Sequence, residues 1–373
     1  MRTTHLAGQL LAGLATAALA AGVVAAAPSV AQPAGQPAAK PAKPSVLAKG
    51  LLSPLSLAVD GPDVYVAQSF GGSLELLAPG KRPRTIYRAK GGAEVGAVSA
   101  RRGTVTFAVS ASDKEGNYTS TTLMRIAGSG KATVVADLLG YERKHNPDGK
   151  VTYGARGISA ECAAQWPADA PPATYTGVVD SHPYATTSTR KVTYVADAAM
   201  NAVVAVTPKG KVSTVAVLPG VPTTITAPVA EALKLPACSI GLDYFFESVP
   251  TDVELGPDGN LYVSVLPGGP EDPSMGARGE VFRVTPRGKV TRVAGGLVSP
   301  TGLAVAGNGD IYVSQLFSGA IAKITRGAHQ AKTVRQLSMT GDVEVDGSDL
   351  LVTTDVLPPE GKAPNGKVVR FRR

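Results

Sequence analysis

Apolar and polar residues alternate with period two in short runs along most of the chain. "VELGPDGNLYVSV" (Val253 to Val265) shows two such runs around a Pro-Asp-Gly-Asn break. Alternation of this kind puts one set of side chains on each face of a small sheet. Gly, Pro, Asn and Asp recur between the runs and mark turns. The runs follow one template: a strand opened by Pro or a small polar residue, a Gly/Asp turn, a "-YV-" strand, a loop, a third strand, a Gly-Lys turn and a "VTRVA"-like strand. Copies begin at Ser53, Ala93, Arg190, Pro250, Ser299 and Thr340. Four strands per unit, repeated radially, predict an all-β, six-bladed β-propeller. "PDGN" (257–260) and "GNGD" (307–310) are then hairpin turns, since such turns need positive φ and local side-chain bonds, rather than metal loops.

The chain ends support closure of the ring. The last unit stops after its third strand, "KVVRF", while "PSVLAKGLLSP" (Pro44 to Pro54) matches "VTRVAGGLVSP" (Val290 to Pro300). The first strand is therefore predicted to complete the last blade, which removes a free sheet edge. Antiparallel parity puts the short Gly-containing turns on one face. That face is basic, with Arg84, Arg101, Arg102, Lys131, Arg190, Lys191, Lys211, Arg287 and Lys289 in or beside the turns. The other face takes two insertions, at about 138–181 and 219–249, and two long loops, 266–279 and 357–366. These read as long irregular segments on a rigid scaffold, where binding residues concentrate.

The N-terminal stretch changes the picture of where the protein acts. Arg2, the uncharged "LAGQLLAGLATAALAAGVVAAA" and the small residues of "SVA" predict a Sec signal peptide over 1–31, cleaved after Ala31. A Pro/Ala-rich linker (32–43) follows, and the propeller is expected over 44–373. The mature chain is expected to be secreted, with no transmembrane anchor. Cys162 and Cys238 fall in the two insertions. In an exported chain they are expected to form a disulfide that pins the insertions into a cap. The formal charge of +8 either aids solubility or meets an anionic cell-wall polymer. Nucleic acid is not an expected partner, because the basic residues are scattered over turns without interleaved aromatics.

Several segments occur in an order that resembles the ScyD/ScyE (scytonemin-biosynthesis-like) family. They are "ADLLGYERKHNPDG" (136–149), "DSHPYA" (180–185), "VADAAMNAVVAVTPKGKVSTVAV" (195–217) and "ESVPTDVELGPDGNLYVSVLPG" (247–268). His182 departs from the family's pattern, which more often has Asn there. The resemblance implies an exported, mostly actinobacterial propeller related to NHL-repeat and SMP-30 gluconolactonase-like proteins. Such relatives use an axial divalent metal held by Glu, Asn and Asp.

The residues before or at the start of the inner strands should converge on the insertion-capped mouth. They are Ser56, Glu94, Asp180, His182, Glu247, Thr251, Asp252, Thr301, Thr340 and Asp342. Glu94, Asp180, His182, Glu247, Thr251, Asp252, Asp342 and the lone Trp166 are the ligand-binding candidates. Asp180, Glu247 and Asp252 are the metal candidates, for Ca²⁺ or another divalent ion. The same polar groups could instead cap strand ends. Asp197 and Asn201 in "DAAMN" are expected to stabilise a turn. "GSGK" at Gly128 lacks the P-loop spacing, and no nucleophile elbow or zinc spacing occurs, so no catalytic residue is assigned. Three functions remain open: capture of a small molecule, glycan or protein at the capped face, metal-assisted lactone hydrolysis, and a cell-wall scaffold.

Overall fold

The computed structural model describes residues 43–128, 130–269 and 275–373. The segments expected to be a signal peptide (1–31) and, but for its last residue, a linker (32–43) lie outside the described residues, as does 270–274 of one long loop. The chain is all-β and propeller-like, built from seven four-stranded antiparallel sheets.

Six of the sheets carry the repeat. Their inner strands are Pro54–Asp60, Glu94–Arg101, Pro183–Ser188, Pro250–Leu255, Pro300–Val305 and Val343–Asp346. Each packs against the next, and Val343–Asp346 packs back on Pro54–Asp60. Burial falls from the inner strand outwards. The first five residues of Pro54–Asp60 are buried, whereas no residue of the outer strand Arg84–Arg88 is. The outermost strand of that unit, open to solvent, alternates without burying either face.

The apolar core is divided between neighbouring sheets. Leu123 and Ala136 of the second unit meet Val195 and Val204 of the third. Val203 of the third meets Val253 and Phe282 of the fourth. Ala48, Leu51, Leu351 and Val368 of the last unit meet Leu57, Val64 and Val66 of the first. The strand Ser45–Leu51 takes part because it pairs antiparallel with Gly366–Arg372, from Ser45 opposite Arg370 to Leu51 opposite Gly366.

The seventh sheet corrects the expectation of irregular insertions. It joins Thr174–Thr176 and Thr152–Ala155 from the first insertion to Asp243–Phe246 and Val221–Thr224 from the second, in that spatial order. The insertions also carry the helical segments Leu138–His145, Ala160–Ala163, Ala227–Ala232 and Ala237–Ser239; the first packs on the second and third units. Cys162 and Cys238 are disulfide-bonded. The two insertions thus form one small layer with its own core, where Ala155, Ile225, Ala230, Tyr244 and Phe246 are buried and Trp166 and Tyr175 pack against them.

The Asp/Asn/Gly clusters are turns. Asp258 accepts bonds from the backbone and amide of Asn260 and from the Tyr262 hydroxyl. Asp310 accepts from the Arg326 backbone and the Asn308 amide, and pairs with Lys323.

Candidate functional site: the capped mouth and the channel

Glu94 opens one inner strand and His182 immediately precedes the next, so neighbouring strand ends bring them together. His182 Nε2 lies 3.1 Å from Glu94 Oε2. The Tyr118 ring stacks on the imidazole at 4.6 Å, and Tyr184 meets it edge-on at 6.0 Å. Burial acts to lower the imidazole pKa, but the hydrogen bond and charge of Glu94 outweigh it and hold His182 above its ordinary value. Ser56, Ser69, Ser110 and Phe70 line the same pocket as this pair. Phe70 is 41% exposed, an aromatic face left open at the mouth.

Asp197 fixes the segment that presents His182. Its carboxylate accepts from the His182 backbone N–H at 2.7 Å, the Ser181 hydroxyl at 2.7 Å and the Met200 N–H at 3.2 Å. The Met200 bond is the expected turn; the other two reach the segment just before the strand Pro183–Ser188. Asn201 does more than shape its turn. Its amide N–H donates to Asp148 of the first insertion at 2.9 Å, and its oxygen accepts from Val249 N–H of the second at 3.0 Å. Val249 sits at φ 50°, a strained conformation for a β-branched residue, and the Asn201 bond helps hold it there.

Asp252, in one inner strand, and Asp342, just before another, precede the same Val-Glu pair in their units. Each accepts from the next N–H in its own strand and from the neighbouring sheet: Asp252 from Leu303, and Asp342 from Leu57 at 2.6 Å. Ser56 repeats the arrangement, accepting from Val98 N–H at 3.0 Å. Thr251 and Thr301 donate across the same seams, to Pro300 and Gly341 carbonyls, and Thr340 bonds the Gln315 backbone. These residues tie sheet to sheet.

Asp180 and Glu247 sit in a different neighbourhood from Asp252. Burial, then the charge of Asp148, pushes Glu247 up to about 7, with Asp180 contributing. Burial, then the charges of Asp197, Asp148 and Asp180, pushes Glu142 up to about 8. Asp148 and Glu142 carried no signal in the sequence, because an acidic residue on a short helix or in a turn reads as solvated surface. Among the described residues no three of His, Cys, Asp or Glu are set to share one metal ion. Trp166 belongs to the cap's own core; it stacks on Tyr244 and donates its indole N–H to the Pro171 carbonyl at 2.7 Å.

Period-two spacing sends Glu254 and Glu344 to the same side as Asp252 and Asp342. Burial raises all four carboxyls above their ordinary range, and repulsion from the neighbouring carboxylates adds to it for Glu254, Asp342 and Glu344. A carboxyl raised on folding binds more protons folded than unfolded, so its stabilising contribution is full below the unfolded value and is lost as pH rises through the folded one. In chelator, stability should therefore fall as pH increases above about 4. Glu254→Gln or Glu344→Gln should raise stability at pH 8 and change it little at pH 4. Paired thermal melts measure this, and equal shifts at both pH values would contradict it.

No family model matches the chain, and no curated protein matches it. Solved structures do. A protein described as an oxidoreductase (glucose dehydrogenase), from Thermus thermophilus, is 16% identical, with a TM-score of 0.52, covering 88% of this chain and 99% of that one. A protein of unknown function from Bacteroides thetaiotaomicron is 13% identical, with a TM-score of 0.52, covering 88% and 72%. The PQQ-bound aldose sugar dehydrogenase of Streptomyces coelicolor is 13% identical, with a TM-score of 0.50, covering 90% and 99%. At such identities these likenesses establish shared fold and nothing finer: the chain is a propeller-like assembly of four-stranded antiparallel sheets.

Proposed function

We propose that this protein is an exported six-bladed propeller of the ScyD/ScyE type, closed by the strand Ser45–Leu51, that binds a polyhydroxylated small ligand such as a glycan at its capped mouth. The observation that carries the reading is the Glu94–His182 pair between Tyr118 and Tyr184. A carboxylate and an imidazole supply oriented hydrogen bonds, and aromatic rings supply flat apolar surface, the mix a small polar ligand needs. Three serines on the same pocket add adaptable donors and acceptors. The hydrolase alternative needs axial carboxylates free to bind an ion, and Asp252 and Asp342 each already accept two backbone N–H bonds.

Binding to an array of defined oligosaccharides, followed by calorimetry on the strongest, tests the reading. Glu94→Gln and His182→Ala should each weaken binding roughly tenfold or more, the scale of a lost charged hydrogen bond. Lys289→Ala, on the opposite face, should leave it unchanged. No binding on the array, or equal loss in all three variants, would sink the proposal.

A specific observation also supports the wall-scaffold reading. Arg101, Arg102, Arg125 and Arg190 line a groove between the second and third units. Retention of the protein on cells by these residues would be released by salt, since exposed charge contacts are screened.

A further inference from the structure

The first insertion begins with the helix Leu138–His145, started by Asp137, which accepts from Gly140 N–H, and stopped by Asn146 at φ 36°. Helical spacing puts Glu142 and Asn146 on one face. Glu142 is fully buried, and neither of its carboxylate oxygens has a hydrogen-bond partner. Asn146 donates its amide N–H to the Gly177 carbonyl at 3.3 Å, which leaves its buried oxygen unpaired. Two residues on, Asp148 is also fully buried. One of its oxygens accepts from Tyr153 and Asn201, and the other has no partner. The Asp148 carboxylate rests on Gly177, where an added Cβ would come within 2.1 Å of it. Four unpaired acceptor oxygens therefore lie between Glu142 and Asp148 in the chain.

Leaving a buried carboxylate without donors costs several kcal/mol. The charges that act on Glu142 are those of Asp197, Asp148 and Asp180, all negative. The Asp180 backbone N–H offsets that cost in part but does not complete a hydrogen bond to either oxygen. A hard cation satisfies such a set better than a protein donor can. We propose that Glu142, Asn146 and Asp148 form a Ca²⁺ site. The set is two carboxylates and an amide oxygen, all hard oxygen donors, with room in the Ca²⁺ shell for carbonyls or waters. It is separate from the Asp252–Asp342 channel and from the Glu94–His182 pocket, and does not rest on the ligand proposed there. Its consequence is structural order. The ion would clamp the helix and the "NPDG" turn to Asn201, whose other end holds Val249 of the second insertion. It would also sit beside Asp180, two residues before His182.

The test uses the purified mature chain, stripped with chelator and titrated with CaCl₂ by calorimetry at pH 7.5. One equivalent should bind with a dissociation constant of roughly 10⁻⁶ M, with a rise in melting temperature. Tb³⁺ should replace Ca²⁺ and show luminescence sensitised by Tyr153, whose hydroxyl bonds Asp148. Glu142→Gln and Asp148→Asn should weaken binding at least tenfold, while Glu254→Gln with Glu344→Gln leaves it intact. If the first two variants fail to fold, anomalous diffraction from Tb³⁺-soaked wild-type crystals decides. A peak between Glu142 and Asp148 supports the site. A peak in the channel, no peak, or folded wild-type protein that binds no Ca²⁺ overturns it. Oligosaccharide binding is read separately, so either proposal can fail alone.

Discussion

Deleting residues 44–49 should lower the melting temperature by roughly 5–10 °C, whereas a chain starting at Lys43 should melt like one that keeps the expected linker 32–43. The strand Ser45–Leu51 is the outermost strand of its sheet and pairs along Gly366–Arg372. Its Ala48 is buried with Val368 and Leu57 between the last and first units. Deletion removes most of the ladder and this apolar contact, and leaves the edge of Gly366–Arg372 unpaired. Several net hydrogen bonds at about 1 kcal/mol each and the lost apolar burial sum to roughly 5 kcal/mol. Calorimetric melts of the two truncations measure the difference, and coincident transitions would refute the closing role of this strand.

Replacing both cysteines by alanine should cost roughly 4 kcal/mol, or somewhat less if the bond is strained. Cys162 and Cys238 are 76 residues apart in sequence, so the bond closes a long loop and restricts the unfolded chain strongly. The loss should concentrate in the cap. Its sheet rests on strands of three and four residues, too short to be stable without support. Hydrogen exchange should show the amides of Thr152–Ala155 and Asp243–Phe246 losing protection before those of the inner strands. Uniform loss across all seven sheets would show instead that the cap and the repeat units unfold as one.

The two proposed sites were legible to different degrees. Glu94 and His182 stood out because both fall at inner-strand starts, and parity puts adjacent starts on one face. Their partners Tyr118 and Tyr184 lie within strands and gave no separate signal. Asp252 and Asp342 were legible as mouth residues, but their use was not, since the Leu303 and Leu57 N–H groups they bind lie 51 and 285 residues away. Glu142 and Asp148 were missed altogether. A glutamate followed by Arg143, Lys144 and His145 has the pattern of a solvated helix face, and the packing of its helix on the second and third units leaves no mark there.

Alternation and repeat by themselves determined the strands, the turns and their order, because side-chain parity in a strand is a local property of the backbone. Strand parity, with the expectation of export, also pointed to the pairing of the two cysteines that the structure shows. The tertiary structure alone decided that the insertions pair into a seventh sheet. Thr152–Ala155 and Asp243–Phe246 are too short to show a period, and each is completed by a strand from distant sequence. It also decided which carboxylates are spent on backbone N–H groups and which remain buried with free oxygens. That distinction depends on the donors a fold brings near, and a neighbour across a seam leaves no mark on the residues beside it in the chain.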